Sequence, residues 1–333
     1  MGDSASWVLD GEAREIAEIA CQIVIQVANP NQLERTKNQC VFYTSRYKLL
    51  SGDWKDRPHR LATAYFHGRP GSGVPAFNRL YQSLCLNNHR LHRVQVSHTE
   101  MRDVVLSSGI DPQKVFLIPI GVNLSYFKQQ TDDSRRKTRA RLGIPQSAAV
   151  IGSFQKDGVG WEEGLEPKLI KGPDVFLKTI ELLKPRLPEL YVLLSGPARG
   201  FVKTGLERLG VPYVHRYVGK YSDIGDLYQA LDLYIVASRQ EGGPKAVLES
   251  IASGVPLVTT RVGQAMDLVK HGENGWMVDV EDVEGLAFWA EYVLLHRSEL
   301  DRVISNGFDT AQKNCYISQL PLWENFFKGF VNW

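Results

Sequence analysis

The chain has 333 residues, 43% of them hydrophobic and 23% charged, and its 39 lysines and arginines against 37 acidic residues leave a net charge of +2. Such a composition suits a globular protein with two domain-sized cores; it excludes a disordered chain and gives no overall charge for binding nucleic acid. Four cysteines, Cys21, Cys40, Cys85 and Cys315, are scattered without paired-thiol or metal spacing, so reduced thiols and no metal centre are expected.

The N-terminus, Met1-Gly2-Asp3-Ser4, is acidic and opens no apolar signal segment. Glu18 and Gln22 interrupt the best membrane-span candidate, Ile16 to Val27, so a cytoplasmic protein is expected, with peripheral contact at the inner membrane face left open. Ala13 to Cys21 reads as helix, and Ile23 to Val27, Val41 to Thr44 and Leu61 to Phe66 as strands. Arg93 to Val96 is a further strand, Glu100 to Ser107 a helix and Val115 to Pro119 the last strand of this half. Alternation of strand and helix predicts parallel α/β architecture. The charged run Thr131 to Arg141 reads as a solvated interdomain helix. The predicted division is therefore 1–132, 133–314 and a terminal aromatic helix over 315–333.

In the second half, Ala148 to Phe154, Tyr191 to Ser195, Tyr213 to Val218, Leu233 to Ala237 and Pro256 to Thr259 read as buried strands. Helices fall at Asp174 to Leu183, Asp223 to Leu231, Pro244 to Ser253 and Val283 to Leu295. This pattern predicts a doubly wound sheet that binds ligands at the carboxyl ends of its strands. Its most informative run is Glu241-Gly242-Gly243-Pro244-Lys245-Ala246-Val247-Leu248-Glu249, followed by Gly254. Proline suits a helix's first turn and glycine its left-handed cap. The helix start offers backbone N–H groups and a positive dipole end to an anion. One carboxylate before that start and one within the helix suggest hydroxyl-rich groups beside a diphosphate, the chemistry of a nucleotide sugar.

Ser238 to Ser250 with Gly254-Val255-Pro256-Leu257-Val258 resembles the donor-site signature of retaining glycosyltransferases of family 4. Val262-Gly263-Gln264, Val269 and Gly272 to Val278 fit the same family, as does Ile118-Pro119-Ile120-Gly121-Val122-Asn123 ending in Phe127. The resemblance covers most of residues 92 to 290. It implies the GT-B arrangement, two Rossmann-like doubly wound domains facing a central cleft, with a nucleotide-sugar donor on the second and an acceptor approaching from the first. It also implies that the terminal helix crosses back onto the first domain. The first domain is short beside the family's, and the family's opening strand with its paired-glycine loop has no visible counterpart; Gly71-Ser72-Gly73 is the available substitute.

By the same resemblance, Lys156 and Lys171 hold the leaving diphosphate, separated here by an insertion, Asp157 to Ile170. Fixed positive charge there would stabilise the charge that develops as the glycosidic bond breaks. Glu249 accepts the ribose hydroxyls, Glu241 faces the sugar, and the backbone of Gly242, Gly243, Pro244, Lys245 and Ala246 meets the diphosphate and sugar. His67, after an apolar strand, lies near the transferred sugar. Gly152, Ser153, Ser195 and Gly196 line the nucleotide side and Val218 approaches the base. No cofactor beyond the donor, a UDP- or GDP-sugar, is implied, and no covalent catalyst is assigned.

Other readings are weaker. A glycosidase would need a second acidic constellation, and an epimerase a second acidic set near its sugar. A non-catalytic nucleotide-sugar-binding or scaffold subunit would suit the short first domain, but not the presence of Glu241, Lys171 and Glu249. The acceptor is a glycan, a lipid-linked glycan or a small molecule. Arg79, Arg90 and Arg93 among Leu80, Tyr81, Leu84 and Leu91 suit a lipid-linked one, and equally an ordinary amphipathic helix.

Overall fold

A computed structural model of the chain describes residues 7–19, 36–44 and 58–331. The chain divides into two compact units, 1–121 with 314–333, and 122–313. The border read at 132 thus falls at 121, and Phe127, expected to close the first domain, belongs to the second. The expected strand over Ile23 to Val27 lies outside the described residues.

In the first unit, β1 (Cys40–Tyr43), β2 (Arg60–Ala64), β3 (Leu91–Val96) and β4 (Val115–Leu117) form a parallel sheet in sequence order. Successive strand residues point to opposite faces, and the two faces carry separate cores. On one, Leu61, Val94 and Val96 meet Leu80, Leu84, Met101 and Val105 from α2 (Pro75–Asn87) and α3 (Thr99–Leu106). On the other, Ala62 and Ile118 meet Ile16 of α1 (Trp7–Ile19) and the terminal aromatics Trp323, Phe326, Phe327 and Phe330.

Arg93 is not part of an amphipathic helix with Arg79. It lies on β3, donating from Nε to the Phe326 carbonyl at 3.1 Å and from Nη2 to that of Lys328 at 3.0 Å, while Arg60 donates to the Gly329 carbonyl. These guanidiniums satisfy carbonyls that a helix leaves unpaired at its C-terminal end.

The second unit opens with α4 (Asp132–Leu142), whose start is closed by a capping box between Thr131 and Ser134 and whose end by left-handed Gly143. This helix is less solvated than its charge suggests. Arg139 is fully buried, donating to the carbonyls of Ala230, Gln146 and Ala148, and its Nη2 lies 2.6 Å from Asp232. Arg135 and Arg297 converge on the same carboxylate.

Six parallel strands follow: β5 (Ala149–Ser153), β6 (Leu190–Leu194), β7 (Tyr213–His215), β8 (Leu233–Val236), β9 (Leu257–Thr260) and β10 (Trp276–Val278), in the order β10-β9-β8-β5-β6-β7. Helices α5 (Pro173–Leu183), α6 (Gly200–Leu209) and α10 (Val283–Leu295) supply one apolar layer, packed on Ile151, Val192, Leu194, Leu233, Ile235 and Val258. The remaining helices are α7 (Ile224–Tyr228), α8 (Lys245–Ala252), α9 (Ala265–Leu268), α11 (Asp301–Lys313) and α12 (Leu320–Phe327), the last in the first unit. Reading by pattern missed α6, α9, α11 and β10. Among the described residues no helix is long and apolar enough to cross a membrane.

Candidate functional site

The strand order of the second unit determines where a ligand can sit. β6 and β7 lie on one side of β5, and β8, β9 and β10 on the other. The chain therefore leaves the neighbouring strands β5 and β8 in opposite directions, which opens a crevice outside their carboxyl ends. Phe154-Gln155-Lys156 follows β5, and Ala237-Ser238 leading to Glu241 follows β8.

A third segment closes on these two. The 3-10 turn Leu169–Lys171 ends in Gly172, at φ +62°, where a Cβ would fall 1.9 Å from the Ala237 carbonyl oxygen. Only glycine permits that approach in that conformation. The Ile170 carbonyl accepts from the Arg239 and Gln240 amides at 2.9 and 3.1 Å, and Gln155 Nε2 donates to the Lys171 carbonyl at 2.8 Å. Lys171 Nζ is thereby held 2.6 Å from both Glu241 carboxylate oxygens, and Ser238 Oγ donates to Oε1 at 2.8 Å. Two of the predicted residues thus form an ion pair, with Lys171 23% and Glu241 10% exposed.

The loop beyond Glu241 leads to α8, which begins one residue later than predicted. Pro244 is its N-cap in an extended conformation, with no side-chain cap bond. The turn Val262-Gly263-Gln264 braces this loop: a Cβ on Gly263 would lie 2.3 Å from the Gly242 carbonyl oxygen, which accepts from the Gln264 amide at 2.9 Å. Gly242 and Pro244 are buried, while Gly243, Lys245 and Ala246 keep partial exposure.

Glu249, in the second turn of α8, is 5% exposed. It accepts hydrogen bonds from the Tyr221 hydroxyl and, at 3.0 Å, from that of Tyr228. Burial pushes its carboxyl above the ordinary glutamate range, opposed by Tyr221, the Lys245 charge and Tyr228. Tyr228 is itself pushed well up, first by burial and then by the Glu249 charge. Lys245 Nζ stands 4.6 Å from the Tyr221 ring centroid. The ring of Phe127 packs edge-on against Tyr221 and Tyr228, each 5.8 Å away between centroids.

Lys156 is placed differently from Lys171. Its Nζ lies 3.5 Å from the Trp161 ring centroid, so in this structure the insertion, not an acidic partner, holds it. That insertion is an ordered hairpin. The Val159 amide donates to the Glu166 carbonyl at 2.9 Å and that of Lys168 to Asp157 at 2.7 Å. Gly158 and Gly164 press so closely on Ala198 that a Cβ would stand 2.3 and 2.4 Å from its carbonyl oxygen. Asp157 and Arg199 form a fully buried ion pair at 3.0 Å, and burial pushes the Asp157 carboxyl up against the opposing pull of Arg199.

Arg199 also ties β5 to β6, donating to the carbonyls of Ser153 at 2.5 Å and Ser195 at 2.7 Å and to Ser153 Oγ at 3.1 Å. The space beside Gly152 is filled by Leu231 and Tyr234, with a Cβ falling 2.4 Å from Leu231 Cδ1. Gly152 is thus packed against Leu231 and Tyr234, and Ser153 is held by Arg199. Ser195 is buried, and left-handed Gly196 has a carbonyl within 2.8 Å of His215 Nε2. Val218, half-buried, lies past the end of β7.

His67 belongs to the first unit, at the carboxyl end of β2, where its ring meets Phe77 edge-on at 5.7 Å. The neighbouring loop is a left-handed turn: Gly71 and Gly73 have φ of +77° and +79°, and the Gly71 amide donates to Asn78 Oδ1 at 2.8 Å. Pattern reading did not single out Gln155, Ser238, Tyr221, Tyr228, Asp157 or Arg199. Ser238 and Gln155 stood inside quoted segments and Asp157 opened the insertion; the others carried no spacing signal.

Residues 165–310 match the family model described as glycosyl transferases group 1. A D-inositol 3-phosphate glycosyltransferase of Corynebacterium urealyticum is 27% identical over 296 residues, covering 84% of this chain and 64% of its own. The lipopolysaccharide core biosynthesis mannosyltransferase LpsB of Rhizobium meliloti is 31% identical over 208 residues, covering 60% and 56%. The chain thus spans less than two thirds of the length of these curated relatives. Anabaena Alr3699/HepE, solved in complex with UDP-glucose, superposes with a TM-score of 0.73 at 19% identity, covering 88% of this chain and 79% of its own. Sucrose-phosphate synthase from Thermosynechococcus elongatus gives 0.67 at 17% identity, with 86% and 73% covered. Residues 165–310 accordingly resemble a glycosyl transferases group 1 domain, on a chain whose two parallel sheets match the GT-B fold of these solved structures.

Proposed function

We propose that the protein is a retaining glycosyltransferase of family 4 that moves a sugar from a nucleotide diphosphate sugar to a hydroxyl acceptor. The observation that carries this reading is the convergence of Lys171, Glu241 and the start of α8 at the β5/β8 switch point, with Glu249 one turn further along the helix. A diphosphate placed over Gly243 to Ala246 would meet backbone N–H groups, the positive end of α8 and the Lys171 ammonium. The ribose hydroxyls would reach the Glu249 carboxylate, and Glu241 would face the sugar. As the glycosidic bond breaks, the leaving diphosphate gains charge, which Lys171 and these amides stabilise more strongly than they do the intact donor. Lys156 joins them by leaving Trp161. The leaving phosphate accepts the acceptor's proton on the same face, so configuration is retained with no covalent enzyme intermediate.

HepE shares the fold and was solved with UDP-glucose, which makes UDP-sugars the first donors to test, followed by GDP-sugars. The acceptor is a glycan, a lipid-linked glycan or a small molecule, reached in the cytoplasm or at the inner membrane face; no cofactor beyond the donor and no metal takes part. A thermal-shift screen of UDP-, GDP-, ADP- and TDP-sugars on wild type and Glu249→Ala tests the donor assignment. A donor that stabilises wild type but not the variant supports it; a folded wild type shifted by none sinks it and favours a scaffold subunit. Proton NMR of the transferred anomeric centre then tests retention.

A further inference from the structure

Both Glu249 oxygens are already engaged before any ribose arrives. With 5% exposure it is covered, and both oxygens already accept tyrosine hydroxyls. The two tyrosines differ in kind. Tyr228 is fully buried on α7, packed between Phe154 at 5.0 Å, Tyr234 at 5.3 Å and Phe127. Tyr221 is half-buried, on the 3-10 turn Tyr221–Asp223 before α7, with Tyr126 and Phe127 edge-on at 6.5 and 5.8 Å. Its hydroxyl meets Glu249 while its ring meets Lys245 Nζ. One half-exposed side chain therefore engages both the carboxylate and the lysine that a nucleotide diphosphate would use.

We propose that Tyr221 is a displaceable stand-in for the donor's ribose, its phenolic hydroxyl occupying a ribose hydroxyl's place on Glu249 until a nucleotide exchanges with it. The inference rests on the donor reading above and adds to it a residue that sets the strength and ribose specificity of binding. A phenol and a sugar hydroxyl donate to a carboxylate in the same way, so the exchange gains little in wild type. Without the phenolic hydroxyl, a ribose hydroxyl would meet a carboxylate lacking one of its bonds.

The test is calorimetric titration of UDP and 2′-deoxy-UDP into wild type, Tyr221→Phe, Tyr228→Phe and Glu249→Gln. Phenylalanine keeps the ring and its packing, so folding is preserved. A net hydrogen bond's worth of competition predicts UDP binding to Tyr221→Phe about 2- to 10-fold tighter, with a wider UDP/2′-deoxy-UDP ratio. Tyr228→Phe, which loses a positioning bond, should bind no more tightly than wild type. Unchanged or weaker UDP binding in Tyr221→Phe, with wild type binding and Glu249→Gln impaired, overturns the proposal while leaving the donor site standing. Absence of nucleotide binding by both wild type and Tyr221→Phe would instead overturn the donor reading, and this inference with it.

Discussion

Lys171 is already paired before any ligand arrives, and that changes what its removal should do. Both Glu241 oxygens lie 2.6 Å from Nζ, and the pair is largely buried. A charge-assisted hydrogen bond is worth about 1.5–3 kcal/mol, but a phosphate must draw the ammonium away from Glu241 or share it. The net contribution to diphosphate binding should therefore be reduced to about 1–2 kcal/mol, roughly 5- to 30-fold in affinity. Lys171→Met should weaken UDP binding by that factor and leave UMP within about twofold of wild type. Glu241→Gln should act oppositely, since it releases the lysine and removes a negative charge near the phosphates. UDP should bind about 3- to 10-fold more tightly, while sugar transfer falls by about 100-fold or more. Calorimetry with UDP and UMP measures the first effects and donor turnover the last. Equal losses of UDP and UMP in Lys171→Met, or weaker UDP binding in Glu241→Gln, would refute the reasoning.

Three further outcomes are expected. Gly172→Ala places a Cβ 1.9 Å from the Ala237 carbonyl oxygen at φ +62°; left-handed strain plus the clash should cost about 3 kcal/mol or more and, by circular dichroism, lower the melting midpoint by about 5–10 °C. A midpoint within a degree of wild type would contradict the close approach. Asp232→Asn strands the fully buried Arg139, and loss of that pair should cost about 3–5 kcal/mol in urea unfolding; a change below about 1 kcal/mol would show that the guanidiniums compensate one another. Because burial raises the Glu249 carboxyl above its reference of 4.5, the ionised form that accepts ribose hydroxyls is lost as pH falls through that raised value. UDP affinity should therefore decline on acidification at a higher pH than an ordinary glutamate would give, and this component should disappear in Glu249→Gln; an identical profile in the variant would assign the titration elsewhere.

Much of the fold could be read from the chain because most buried strands of the second unit are short apolar runs bounded by turn residues, as in Leu233 to Val236 before Ala237-Ser238. α11 was missed because its sequence, Asp-Arg-Val-Ile-Ser-Asn-Gly-Phe-Asp-Thr-Ala-Gln-Lys, buries only Gly307 and Ala311. The Glu241–Glu249 run stood out because glycine, proline and carboxylate coincide at a helix start. Lys171 came from the resemblance, through its Lys-Gly pair, and Gly172 does make the backbone approach that brings Lys171 to Glu241. The partners of these groups were not legible. Tyr221 and Tyr228 reach Glu249 from 28 and 21 residues away, and Arg199 reaches Ser153 from 46. No local period encodes such long-range contacts. Lys156 came from the resemblance alone, and its contact with Trp161, within the insertion, had no signal in the chain.

The most direct test of a nucleotide-sugar site at the β5/β8 crevice is amide hydrogen exchange with and without saturating UDP. Protection concentrated in residues 154–156, 170–172 and 242–249, and lost in Glu249→Gln, is the expected result. Protection confined to the opposite end of the sheet around Asp232, or UDP binding that leaves these segments unchanged, would contradict the account.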